Sequence, residues 1–470
     1  MPIQKITHYT RNIYRLGGAL VAATMICSCT SSCDSFVEVD QPGSQLTATA
    51  VFDSKVTATA ALVDIYAQIR EGGMVSGKAG GLSVLLGCYA DELTSYENGG
   101  YTSEAFYKNA LLPSNPRITT VWNTAYNQIY AANAIAKGVV ESNLAAADKE
   151  QLEGEALFVR GLLHFFLANL FGDVPYITGT DYTLNSTVRR MPKAEVYSQI
   201  IADLEKAVTQ LPEAYVTPNR MRPNRATAQA LLARVYLYNG QYSGSSNMAS
   251  AVLNQENLYV WETDLDKIFL KQSTTTIWQL APAYEGQNTG EGLQFIFTAG
   301  PPLHYDLNPA LLGAFEPGDQ RRSHWVATVT DAGNSWYHAF KYKQQYDTGT
   351  TLETSIVFRL AEMYLIRAEA RARQGELVGA VEDLNKIRHT AGLGDTPAQT
   401  KEAIVEAVLQ ERRVELFTEQ GHRFFDLKRC GLLDSQLSSK AGWNPTDALW
   451  PLPQPELLAN PYLTPQNPGY

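Results

Sequence analysis

The chain has 470 residues, of which 45% are hydrophobic and 18% charged, with a formal net charge of −10. This length and apolar content suffice for a self-supporting core, and the acidic balance excludes nucleic acid and adhesion to anionic lipid as principal interactions. Five cysteines are too few for a disulfide framework in a chain of this size.

Lys5, Arg11 and Arg15 precede an apolar run from Leu16 through Ile26, which is followed by Cys27, Cys29 and Cys33 among small residues. Charge, apolar core and processing site in that order form an export signal. The run is too short to span a bilayer, which takes ~20 helical residues, so residues 1–32 are set apart from the fold. Cysteines at the boundary point to lipoprotein processing, with acylation at Cys29 or Cys33. Each buried methylene contributes only ~0.8 kcal/mol, so stable anchoring needs more than one acyl chain.

Beyond the leader, apolar residues recur at helical spacing over Val56–Arg70, Thr119–Glu141, Lys149–Phe171, Ala194–Leu211, Ala226–Tyr238, Ser355–Arg373, Ala380–Arg388 and Lys401–Phe417. In the third, Leu152, Ala156, Val159, Leu163, Phe166 and Leu170 form one apolar stripe that faces a partner. The fold is therefore mainly α. Residues 230–253 and 364–387 contain two versions of one helix–turn–helix unit, which align with Gly240 on Gly375 and Gly244 on Gly379. The first glycine of each pair ends a helix in a turn that tolerates positive φ, and the second lets the next helix pack closely. This is the logic of a tetratricopeptide-type repeat, in which neither helix buries its face alone.

Two stretches break the periodicity. Tyr89–Pro116 is loop-rich, and residues 255–354 gather glycines, prolines and Trp261, Trp278, Trp325 and Trp336. Both read as irregular elaborations on the scaffold, where recognition usually sits. Trp278, in a short strand-like run, reads as core, and so does Trp122, at helical spacing with Tyr126. Residues 441–470 are too proline-rich for helix and are expected to lie extended across the surface.

Signatures of catalysis are weak. The chain has no Gly-x-Ser-x-Gly elbow, His-Glu-x-x-His, phosphate loop or dinucleotide fingerprint. Its histidines are scattered, with no helical pair for a metal and no signature for a cofactor; His164 reads as a packing residue. Asp91 with Glu92, and Asp264 with Asp266, are the paired carboxylates available for glycoside chemistry, and surface acids are more often simply solvated. From Gln410 to Arg429, by contrast, Glu411, Arg412, Arg413 and Glu415 interleave with Leu416, Phe417, Phe424, Phe425 and Leu427. That pattern predicts a partly buried ionic network locking the last helix to the body.

Eight segments, in order, resemble the SusD/RagB family of outer-membrane nutrient-binding lipoproteins: CDSFVEVDQP from Cys33; Glu155–Ile177; Val196–Pro212; Asn224–Tyr242; Phe358–Ala372; Asp383–Leu393; Leu409–Gly431; and ALWPLPQPELLANP with the terminal QNPGY. The resemblance implies a tetratricopeptide-like helix-pair scaffold over about 50–254 and 355–430, with loop-rich, partly β insertions at 255–354, all within one domain, 33–470. It implies a non-catalytic protein, anchored by lipid at the outer-membrane surface, that hands an oligosaccharide to a SusC-like TonB-dependent transporter. Family register places the anchor at Cys33. A peptide receptor of the RagB type is the alternative, and a secreted hydrolase a distant one. Two departures, Thr418-Glu419-Gln420-Gly421 and Arg388-His389-Thr390, lie in scaffold motifs.

Ligand identity does not transfer with the resemblance. Aromatic faces suit sugar rings, with flanking polar groups taking the hydroxyls. On that basis Trp325, Trp336, Tyr337, Tyr305 and Tyr284, with Tyr96 and Asn98 from the earlier loop, are the candidate ligand contacts.

Overall fold

The computed structural model describes residues 48–97 and 103–470; Cys29, Cys33 and Asn98 lie outside the described residues. Helices dominate. In chain order the longer ones are α1 (Lys55–Gly72), α2 (Leu82–Tyr89), α3 (Pro116–Glu141), α4 (Ala146–Phe171), α5 (Lys193–Gln210), α6 (Arg225–Tyr238), α7 (Tyr242–Leu253), α8 (Leu360–Gln374), α9 (Leu377–Thr390), α10 (Lys401–Glu415) and α11 (His422–Arg429). Their starts are chemically marked. Asn115 accepts the Arg117 N–H at 2.8 Å ahead of Pro116, and Asn224 and Thr227 cap the start of α6 reciprocally.

Successive helices pack as a series of hairpins: α3 on α4, α4 on α5, α5 on α6, α6 on α7, α7 on α8, and α8 on both α9 and α10. The two repeat turns behave as their glycines require. Gly240 and Gly375 have φ of 73° and 88°, a region that side-chain-bearing residues enter only with strain. A Cβ on Gly244 would lie 2.9 Å from the Tyr236 ring, and one on Gly379 would lie 3.2 Å from Arg371. Small residues there let each second helix close on the first.

Helix α4 departs from the one-stripe expectation. Leu157, Phe158, Leu162, Phe165 and Leu167, which lie off the predicted stripe, are buried as well. With α3 on one side and α5 on another, α4 is the central rod of the core. It is long and apolar enough to cross a bilayer, yet its apolar stretch is buried inside the protein. His164 lies within it as a packing residue: its Nε2 accepts the Ile177 N–H at 3.2 Å, its Nδ1 lies 2.9 Å from the Arg160 carbonyl, and burial lowers its pKa to about 3.

The expected helix over Ser355–Arg373 begins instead as a strand, β6 (Ile356–Arg359), paired antiparallel with β2 (Thr276–Gln279). Ile356, Val357 and Phe358 are all buried, and such a short β-branched and aromatic run fits a fully covered strand better than a helix turn. The insertion holds three more strands, β3 (Tyr305–Leu307), β4 (Val326–Asp331) and β5 (Asn334–Ala339); β4 and β5 form a hairpin, and β3 pairs with β1 (Leu93–Ser95) from the earlier loop. The C-terminal segment is less extended than its prolines suggest. It contains short helical turns at Pro445–Ala448, Gln454–Ala459 and Pro461–Leu463, and it buries Trp450, Leu452 and Asn467. Proline at the first helical position needs no N–H donor, so it starts these turns without breaking them.

A buried web of ions joins the insertion to the last helices. Arg321 reaches Asp319, Glu411 and Glu415 at 2.8, 2.7 and 2.8 Å; Arg359 binds Glu415 and Glu419 at 2.6 and 2.8 Å; and Lys341 binds Glu419. The arginines are 0% and 3% exposed at their side chains. Buried charges survive only when paired and hydrogen-bonded, and here each guanidinium has two or more acceptors. This is the ionic lock expected from the charge pattern of Gln410–Arg429.

Candidate ligand-binding groove and aromatic patch

The insertion and the C-terminal end of α1 enclose a groove of about 530 Å³. Its apolar surfaces come from Leu293, Pro282 and the rings of Tyr284 and Tyr346, which are 56% and 68% exposed. Around them stand Arg70, Glu71 and Lys78 from α1 and the following loop, with Gln287, Asn288, Gln345 and Asp347. The Tyr284 hydroxyl donates to Asp347 at 2.7 Å, which restrains the ring. Asn288 is braced by the Tyr346 carbonyl at 3.0 Å and the Thr348 hydroxyl at 2.9 Å, and its own carbonyl accepts the Leu352 N–H at 3.0 Å. Behind the wall, Glu291 is buried and accepts from Ser355 at 2.6 Å; burial pushes its carboxyl up to about 7. Gly77 fits against it, where a Cβ would overlap the carboxylate.

A second aromatic surface adjoins the groove through the short helix Gly290–Phe295. Leu293 lines the groove, while Gln294 donates to the Tyr305 hydroxyl at 3.0 Å. Tyr96 follows β1, its N–H bonded to the His304 carbonyl at 2.8 Å, and its hydroxyl lies 3.4 Å from Asp306 on β3. Trp336 on β5 covers Gly300, where any Cβ would meet the indole at 2.2 Å. The Tyr96 hydroxyl is pushed up by burial and by the Asp306 carboxylate, with a hydrogen bond from Trp336 acting the other way. Burial pushes the Asp306 carboxyl up to about 6. Together these groups offer two half-buried rings with the Asp306 carboxylate beside the Tyr96 hydroxyl, and the sequence-adjacent Leu303 is exposed and His304 pairs with Glu97 at 2.8 Å.

The candidate contacts thus divide. Tyr96 and Trp336 meet on the patch, and Tyr284 stands in the groove. Tyr305 is 4% exposed and supports the patch from beneath. Tyr337, next to Trp336 in the hairpin, takes the opposite face by strand alternation and lies under the Arg322 guanidinium at 5.0 Å. Trp325 is a core residue and presents no face to a ligand: it is 0% exposed, its indole donates to the Leu265 carbonyl at 3.1 Å, and Phe269 packs edge-on against it. Trp278 and Trp122 are buried as anticipated.

Sequence reasoning missed Arg70, Glu71, Lys78, Tyr346 and Asp347. Tyr346 sits in a Gly- and Thr-rich stretch much like that around Tyr284, and that likeness was the available signal. The carboxylate pairs also resolve. Asp91 binds Arg423 and Arg413 at 2.8 Å, and Asp266 holds His324 and Lys343 at 3.0 and 3.1 Å, so both are structural ion pairs.

With fold and groove in view, comparison with known proteins defines the class. Residues 36–237 match a family described as starch-binding and associating with the outer membrane, and residues 318–470 match the SusD family. A SusD-like protein, P2, of Formosa agariphila is 27% identical over 76% of this chain and 81% of its own length. A solved SusD superfamily protein of Bacteroides vulgatus superposes with a TM-score of 0.76 at 20% identity, covering 89% of this chain and 100% of that one. A laminarin-binding SusD-like protein superposes with a TM-score of 0.73 at 24% identity over 88% and 99%. The chain belongs to the SusD/RagB family.

Proposed function

We propose that this protein is a non-catalytic receptor that captures an oligosaccharide at the outer-membrane surface and passes it to a SusC-like TonB-dependent transporter, held there by lipid on Cys29 or Cys33. The groove carries the reading. Exposed rings with amides and a carboxylate near them suit a sugar, whose C–H faces pack on aromatics while its hydroxyls take the polar groups. The laminarin-binding neighbour and the outer-membrane association of the matching family support the same assignment. Trp336 and Tyr96 extend the surface for a longer chain.

Calorimetric titration with laminarin, starch fragments and peptides tests this. Saturable binding of a glycan with no new reducing ends is expected, and Tyr284→Ala should weaken it by about tenfold, the loss of ~1.4 kcal/mol of ring contact. Binding of peptides alone, or cleavage of the bound sugar, would overturn it.

A further inference from the structure

Building on the groove as a sugar site, we infer that it selects uncharged saccharides, and that Glu71 sets this selectivity by occupying both cations of the groove. Among the described residues that line it, the charged ones are Arg70, Lys78, Glu71, Asp347 and Glu353. Arg70 donates through Nε to Glu71 at 2.8 Å and through Nη1 to the Ala281 carbonyl at 3.0 Å. The Lys78 ammonium takes the other oxygen of the same carboxylate. Glu353 is turned inward, with its oxygens on the Lys343 and Gln344 N–H groups at 2.7 and 3.0 Å.

Glu71 leaves the triad it forms with Arg70 and Lys78 a single positive charge, and the exposed Asp347, which accepts from the hydroxyl of the Tyr284 ring on which a sugar would stack, balances it. A uronate or sulfate would therefore meet a carboxylate at the stacking position and two cations that Glu71 has already claimed. Neutral hydroxyls face no such penalty and can bond to Asp347 and Gln287. The net negative charge of the chain adds to the repulsion at low ionic strength. Both cations line the same groove as the Tyr284 ring. Freed of Glu71, they would present a ready anion site.

The test measures binding of the full chain to hexasaccharides of neutral glucose, mannose, galactose and xylose and to hexagalacturonate, at low and high salt. The native protein should prefer its best neutral ligand over the uronate by about tenfold or more at low salt, with the gap narrowing in ~1 M salt as screening shortens to ~3 Å. Glu71→Gln should raise the ratio of uronate to neutral-sugar affinity by about tenfold. Asp347→Asn should also raise it, and decides the matter if Glu71→Gln lowers the melting temperature. Equal native affinity for uronate and neutral sugar, or an unchanged ratio in both folded variants, would overturn the inference while leaving the receptor intact. Failure of folded native protein to bind any saccharide would overturn the sugar reading itself, and this inference with it.

Discussion

Arg234 on α6 holds Glu362 on α8 through two hydrogen bonds of 2.7 Å, and each side chain is only 2% exposed. The Arg234 guanidinium also lies 4.4 Å above the Phe358 ring. The pair joins one repeat to the next across the core. Removing one partner strands the other charge, so Glu362→Leu should cost about 3–5 kcal/mol in chemical denaturation. The double change Arg234→Met with Glu362→Leu should cost clearly less than the sum of the single changes.

Trp325 and Trp336 are eleven positions apart and should respond oppositely. Trp325→Ala empties a fully buried site and should lower stability by ~3–5 kcal/mol. Trp336→Ala should leave the melting temperature nearly unchanged while weakening binding of long oligosaccharides. Denaturant curves and titrations on the same preparations separate the two.

Glu92 is 1% exposed, and burial pushes its carboxyl up to about 8, with the neighbouring Asp91 adding to the rise. A carboxyl whose folded pKa exceeds its unfolded value holds its proton more tightly in the fold. Its contribution is harmless below the ordinary carboxylate range near ~4.3, and stability falls as pH rises from there through about 8. Glu92→Gln should therefore melt higher than the native chain at pH 8.5 and about level with it at pH 5. Equal shifts at both pH values would show that the carboxyl does not titrate in this window.

Gly375 adopts φ +88° with open space around its Cα, whereas Gly244 faces the Tyr236 ring. Gly375→Ala should cost ~1 kcal/mol from backbone strain alone. Gly244→Ala should be partly rescued by Tyr236→Leu, which removes the obstructing ring edge, and Gly375→Ala should not respond to that second change.

The scaffold was readable because helical periodicity and the paired turn glycines are local signals. Position in the core was not: α4 shows one clean stripe, and only its neighbours reveal that its other side is covered too. The charged run near α10 could be read as a buried lock because phenylalanines interleave with it. The site was legible in part. Tyr284, Tyr96 and Trp336, named from composition, lie at the surface of the groove and patch, but composition cannot separate Trp325 from them, since a tryptophan in a loop-rich region turns inward or outward according to distant partners such as Leu265 and Phe269. Arg70, Glu71 and Lys78 were missed because they belong to a helix end some two hundred residues from the other wall of the groove.

The web around Arg321, Arg359 and Lys341 bears on how a ligand is received. It welds the recognition region to the far end of the helical stack, so the two cannot swing apart without unpairing several interior charges at once. A ligand entering the groove would then meet a preformed surface, with little ordering of the protein itself.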